Sequence, residues 1–376
     1  MADLDVRGGR AVDGTACDVR IRGGRIADAA TAATVLDATG LWVLPGLIDA
    51  QVNGACGVDL TLEPEGLWDV AAQLPRFGVT AFVPTIITAA AESRQRALAA
   101  LAAGPPAGWR GAVPLGLHFE GPMISPARKG AHPERWLAAP SSELIEGWSR
   151  VAGVCMVTLA PELAGALDVV VELTARGVVV AVGHTEADAA QVRAAVDAGA
   201  RMVTHLGNAM PPLAGRRPGP VGAALADDRL TAGVIADGHH LDPATLGAYW
   251  RALGSRCVAV TDCTAALGLP DGPTRLGDQQ VHLRDGAVRL DDGTLAGSAT
   301  SLPHCVAGVV AATGCELADA VRAATGAPAT LLGDRERGAI ATGRRGDLTL
   351  LDHDLRLVAT VVGGRVLYEA PERETR

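Results

Sequence analysis

The chain has 376 residues, 48% of them hydrophobic and 20% charged, which excludes a disordered protein and leaves room for one large α/β barrel with additions. Its formal charge of −9 argues against a general nucleic-acid binder, while a local basic pocket for a small anion stays open. No apolar run reaches the roughly 18 residues of a membrane span, and MADLDVRGGR has no signal-peptide core, so the expectation is a cytoplasmic protein with a small-molecule partner and no membrane or nucleic acid.

Residues from about 3 to 43 alternate apolar runs with Gly-rich turns (DVRGGRAVDG, VRIRGGRIAD), the texture of short β-hairpins. The same texture returns in GDLTLLDHDLRLVATVVGGRVLYEA near the other end, and the two ends are expected to pair into one small β domain. Between them, VLPGLIDAQ, VTAFVPTIIT, VPLGLHFE, VCMVTLAP, GVVVAVGHT, ARMVTHLG, LTAGVIADG and CVAVTDCT read as eight strands. Ala-rich helical stretches such as ALDVVVELTARG and EADAAQVRAAVDAG lie between several of them, as βα units require. Eight such repeats describe a (β/α)₈ TIM-like barrel, whose active site sits at the C-terminal ends of its strands. The expected division is 1–43 and 337–376 for the two parts of a small β-sandwich domain and 44–336 for the barrel. Seven scattered cysteines, odd in number and without a C-x-x-C pair, fit reduced thiols in the cytosol.

Six of the nine histidines (118, 132, 184, 205, 239 and 240) fall at or just after predicted strand ends. Glu120 follows LGLHF, His184 follows VVVAVG, His205 follows RMVT and Asp262 follows VAVT, so a barrel brings these side chains to one mouth. Two imidazoles and a carboxylate, with a fourth position for water, are the ligand set of a catalytic divalent metal. Such a metal supplies hydroxide at neutral pH, and Asp262 is placed to take its proton and pass it to a leaving group. The bland reading makes Asp262 a helix N-cap and each lone histidine a hydrogen-bonded structural residue; for Glu120, His184 and His205 together it fails, because a buried carboxylate beside two imidazoles is costly without a metal. His118, His282, His304 and His353 read as structural or surface residues. In LPGLIDAQVNG, Gln51 and Asn53 lie two apart on a strand and face the same compartment.

LPGLIDAQVNG, HFEGPMISPARKGAHP, VGHT, THLGNAMPP with GRRPG, IADGHH and TDCT occur in this order and resemble the N-acetylglucosamine-6-phosphate deacetylases of the amidohydrolase superfamily. The likeness runs from the N-terminal hairpins through LAGS to the closing GDLTLLD. It implies the barrel with a small β domain and removal of acetyl from the 2-amino group of a 6-phosphorylated sugar, giving glucosamine 6-phosphate and acetate. By the same resemblance Glu120, His184 and His205 are the metal ligands, Asp262 the general base and then acid, and His132 the group that polarises the acetamide carbonyl. Asn208, the Ala209 N–H, Arg216 and His240 correspond to the phosphate contacts, with an Arg of that loop able to come from a neighbouring subunit, hence a homodimer. Gln51 and Asn53 stand where two-metal relatives carry His-x-His. Carboxamides are poor ligands for zinc-like ions, so one divalent ion per chain is expected, zinc first, then iron, cobalt or manganese, with Gln51 orienting substrate or water.

Three departures touch the substrate walls: Gly207 replaces a usual aromatic, and TDCTAAL and GSATSL differ from the commoner versions. Cys263 beside the proposed base reads as a buried, inert thiol. A related N-acetyl amino sugar phosphate or an acetamido biosynthetic intermediate is therefore the alternative substrate, and a decayed sugar-phosphate-binding barrel the third reading.

Overall fold

The computed structural model describes residues 3–28 and 34–371. Eight parallel strands form the barrel, here numbered β1 (Leu47–Val52), β2 (Val79–Ile87), β3 (Leu117–Glu120), β4 (Val154–Leu159), β5 (Val179–Val182), β6 (Met202–Val203), β7 (Thr231–Val234) and β8 (Cys257–Ala259). Each pairs with its neighbour in chain order. The ring closes where Asn53 N–H donates to the Cys263 carbonyl at 2.7 Å, extending a parallel bridge between Val52 and Cys263. Seven of the eight strands fall within the stretches read from the sequence, and β1 runs one residue past its stretch, to Val52. Their apolar runs are continuous rather than alternating because both faces are covered, one by helices and one by the barrel interior; every residue of β1 and β2 is buried.

Helices such as Ala166–Ala175 and Ala189–Ala198 pack on the outside through Val169, Val170 and Leu173, and through Val192, Ala195 and Val196. The second starts at a capping box in which Asp188 accepts from the Ala190 and Gln191 N–H groups and the Gln191 side chain accepts from the Asp188 N–H. Two connections break the βα rhythm. Residues 121–153 hold only short 3₁₀ turns, and this irregular segment carries Arg128 and His132. After β8 the chain makes a four-stranded antiparallel sheet within 272–298 before the helix Leu302–Thr313. Sequence reading did not separate that sheet from the barrel.

The two chain ends form one hydrogen-bonded sheet of eight strands. Trp42–Pro45 pairs antiparallel with Leu348–Leu351, Val43 opposite Leu350, and this register joins the N-terminal strands to the C-terminal ones. The strand therefore spans the expected 43/44 division, and the chain passes to the barrel at Gly46. Leu4, Val6, Ile21, Val43, Leu350 and Val361 give the sheet a core of its own. Hydroxyls fasten it to the barrel: Thr349 Oγ1 donates to the Gly78 carbonyl and Thr360 Oγ1 to that of Pro75, each at 2.8 Å.

Candidate active site

The barrel mouth gathers its polar side chains through backbone conformations that apolar strands do not supply. Glu120 is the last residue of β3, whereas His184, His205 and Asp262 lie two or three residues beyond β5, β6 and β8. All three of the latter have positive φ, 49°, 30° and 52°. Non-glycine residues rarely adopt this region, and where they do the strain of order 1–3 kcal/mol usually accompanies function.

Glu120 Oε1 lies 3.0 Å from His205 Nε2 and 3.3 Å from His184 Nε2, and the two Nε2 atoms are 3.0 Å apart. His184 Nδ1 is 2.9 Å from the Arg128 carbonyl, which accepts but cannot donate, so the proton sits on Nδ1 and the Nε2 lone pair faces the cluster. Three inward-facing donor atoms, all buried, need a shared proton or cation between them. The Nδ1 of His205 is buried with no hydrogen-bond partner. Burial pushes the Glu120 carboxyl up, yet the bonds to His184 and His205 outweigh it and hold this group well below the usual carboxylate range. Burial likewise opposes a charged His205, but the Glu120 bond wins and raises its pKa.

Asp262 Oδ1 accepts from Gln51 Nε2 at 3.0 Å and from Asn53 Nδ2 at 2.7 Å. Burial first, and the neighbouring Glu120 charge second, raise its pKa to about 6, a value suited to a proton carrier near neutral pH. Gln51 Nε2 also reaches Glu120 Oε1 at 3.2 Å, and Gln51 is fully buried. It thus ties the two carboxylates together from behind rather than facing the cavity. His132 Nδ1 lies 2.8 Å from Thr88 Oγ1 and 3.3 Å from the Thr88 N–H; that N–H can only donate, so with Nδ1 accepting from it Nε2 is the donating nitrogen. Burial, then His184, keeps this imidazole neutral well below its ordinary range.

A cavity of about 360 Å³ opens onto Glu120, His132, His184, His205 and Asp262. Asn53, Asn208, Ala209 and His240 line it as well. His240 Nδ1 donates to Asp237 Oδ2 at 2.8 Å, and although burial works the other way, bonds from His240 lower the Asp237 pKa to about 2. Ala209 holds φ at 50°, presenting backbone of this loop to the cavity. Arg216 is not brought there: it lies exposed on the turn closed by the Ala214–Arg217 bridge. Residues 294–297 and Leu276 of the inserted sheet complete the wall, with Ile87 and Arg128. Sequence reading named none of these as site residues, although the quoted motifs PARKGAH and LAGS contain Arg128 and residues 295–297; Thr88, which holds His132, is the polar residue closing VTAFVPTIIT. Gly207 does not loosen the wall. Its φ is +90°, and a Cβ there would come within 3.1–3.2 Å of the Tyr249 ring and hydroxyl, so Tyr249 already fills that space from its own helix. Cys263 is buried with its thiol pushed up by burial, an inert group.

The profile of the amidohydrolase family matches residues 42–367. N-acetylglucosamine-6-phosphate deacetylase of Rattus norvegicus is 38% identical over 389 residues, covering 98% of this chain and 92% of the relative. Among solved structures, N-acetylglucosamine-6-phosphate deacetylase from Pasteurella multocida superposes with a TM-score of 0.90 at 28% identity, covering 97% of this chain and 99% of the other. An aspartate-to-alanine variant of the Mycobacterium smegmatis enzyme, in complex with N-acetyl-D-glucosamine-6-phosphate, gives 0.85 at 34% identity, with 97% and 98% covered. With a family match over most of its length and a barrel mouth of this composition, the chain belongs to the amidohydrolase family.

Proposed function

We propose that this protein hydrolyses N-acetylglucosamine 6-phosphate to glucosamine 6-phosphate and acetate. The observation that carries the reading is the convergence of Glu120, His184 and His205, with donor atoms within 4.8 Å of one another, beside Asp262 in one cavity. The substrate follows from relatives that bear this activity in their names at well over 30% identity along nearly the whole chain.

The donor set fits a divalent ion: two imidazole nitrogens, one with its tautomer fixed by the Arg128 carbonyl, and one carboxylate oxygen. When bound there, such an ion supplies Lewis acidity and an activated water at neutral pH; we assign one per chain, zinc first. His132 offers a neutral Nε2–H donor to the acetamide oxygen, where negative charge develops during attack. Asp262 receives the proton of the attacking water and delivers it to the departing amine, its orientation fixed by Asn53 and Gln51. Asn208, the Ala209 backbone and His240 take the phosphate. Arg216, exposed beside the half-exposed Leu213, suits a homodimer in which it reaches the partner's cavity. The chemistry lies in the barrel, which the chain enters at Gly46, and the described strands of the two chain ends pack against it through Thr349 and Thr360. Seven unpaired cysteines fit the reducing cytoplasm.

Acetate release from N-acetylglucosamine 6-phosphate, measured beside unphosphorylated N-acetylglucosamine on protein of known metal content, tests this reading. Fast release from the phosphosugar alone is expected. No release from either sugar with the metal site filled moves the substrate to another N-acetyl compound.

A further inference from the structure

A second cavity, about 400 Å³, lies between the two-ended sheet and the barrel floor. Its barrel-side wall, Trp109–Val113, leads into β3 from the N-terminal end of the strands, so it opens on the face opposite the site described above. Its other wall is made by two double-glycine turns, Gly23–Gly24 and Gly363–Gly364, all at positive φ. They approach so closely that a Cβ on Gly24 would sit 3.1 Å from the Gly363 carbonyl oxygen.

Four arginines line this cleft, Arg25, Arg110, Arg345 and Arg365, contributed by separate segments of the chain. Arginine is common here, since Lys129 is the only lysine among 33 basic residues; what distinguishes the cleft is their convergence and their balance of charge. Arg25 is held by Glu336 at 2.6 Å and Arg345 by Asp347 at 3.0 Å, and Asp347 also serves Arg337. The guanidinium groups of Arg110 and Arg365 have no hydrogen bond or ion pair with any described residue, although the Arg365 backbone pairs with Val362. The cleft is therefore a net-positive recess in a chain of net charge −9, with two guanidinium groups oriented by carboxylates and two left to a ligand. Trp109 makes a fixed apolar wall, its indole N–H donating to the Trp68 carbonyl at 2.8 Å and its ring edge-on to Trp68.

The geometry points to a second anion site in this cleft, one that takes a diphosphate or a phosphate ester. A carboxylate offers acceptors in one plane, whereas a phosphoryl group offers them on several faces and can meet a guanidinium from the barrel side (Arg110) and another from the sheet side (Arg365) at once. Because the ligand touches both units, its binding couples to their association and raises the unfolding temperature by mass action.

Calorimetric titration of the full chain with sodium pyrophosphate, at low and high salt, tests this. The Arg110 and Arg365 guanidinium groups have no partner among the described residues, so the Arg110→Ser/Arg365→Ser variant is expected to keep its far-UV spectrum and acetate release. It should bind pyrophosphate roughly tenfold or more weakly than wild type, and the stabilisation by pyrophosphate should vanish with it. His240→Ala, altered in the barrel mouth, should bind pyrophosphate as wild type does. Unchanged affinity in the double arginine variant, loss of binding in His240→Ala, or no binding by wild type overturns the proposal.

Discussion

The barrel mouth and the two-ended sheet are built on opposite terms. In the sheet, Leu4, Val6, Ile21, Val43, Leu350 and Val361 meet in a dry core, and hydroxyls such as Thr349 and Thr360 find carbonyl partners. In the mouth, three side-chain carriers sit at positive φ, a carboxylate is buried between two imidazoles, and Gln51 Oε1, Asn53 Oδ1 and His205 Nδ1 are buried without partners. The first arrangement lowers the free energy of the fold; the second spends part of it to hold charges where water would otherwise disperse them. The same chain thus has a region where substitution should show as stability and a region where it should show as rate.

The sharpest separation is expected at Asp262. Asp262→Asn keeps the shape and the acceptor for Gln51 and Asn53 but cannot carry the proton, so kcat should fall by about 10³–10⁴-fold. Its unfolding temperature should be no lower than wild type, because a carboxyl whose pKa is raised by burial weighs against folding once ionised. Near-native turnover would remove Asp262 from the mechanism. His132→Ala should lower kcat by about 10²–10³-fold through loss of the Nε2–H donor, with metal content unchanged; a rise in KM alone would make it a binding residue instead.

The converse belongs to the sheet. Leu350→Ala should cost about 2–5 kcal/mol in chemical denaturation while leaving kcat/KM intact at temperatures where the protein is folded. Loss of activity in step with the mutation would show that the sheet shapes the mouth. The smallest effect is a displacement on the pH axis. Asp262 must be ionised to accept a proton, and its pKa stands at about 6, so kcat/KM should rise as pH increases through that region. The Asn53 amide favours the ionised form; Asn53→Ala should therefore move this acid limb to higher pH, and a shift to lower pH would reverse the assignment.

Much of this was legible in the sequence where a residue type and a strand end coincide. Glu120, His184, His205 and Asp262 are polar residues directly after apolar runs, and the parallel barrel turns that one-dimensional coincidence into a shared cavity. Gln51 was legible as an inward residue but not as a buried tie between Glu120 and Asp262, because alternation along a strand gives direction and not depth. Arg216 was placed by resemblance in the phosphate site, and the fold leaves it exposed on its own chain. The inserted sheet at 272–298 escaped although VHLRDGAVRL alternates about a DG turn much as the end hairpins do, because local texture marks a hairpin but not the sheet it builds or the cavity it walls. Gly207 reads from the sequence as a change in a substrate wall; that Tyr249 fills the space is a tertiary fact with no local sign.

The most direct measurement strips the protein of divalent ions with a chelator and titrates zinc back while following bound metal and acetate release from N-acetylglucosamine 6-phosphate together. The account predicts that activity vanishes on stripping, returns in proportion to metal, and saturates at about one ion per chain, set by Glu120, His184 and His205, the one fully buried cluster of such donors among the described residues. Activity that survives stripping, or that rises only with a second tightly bound ion, would contradict it.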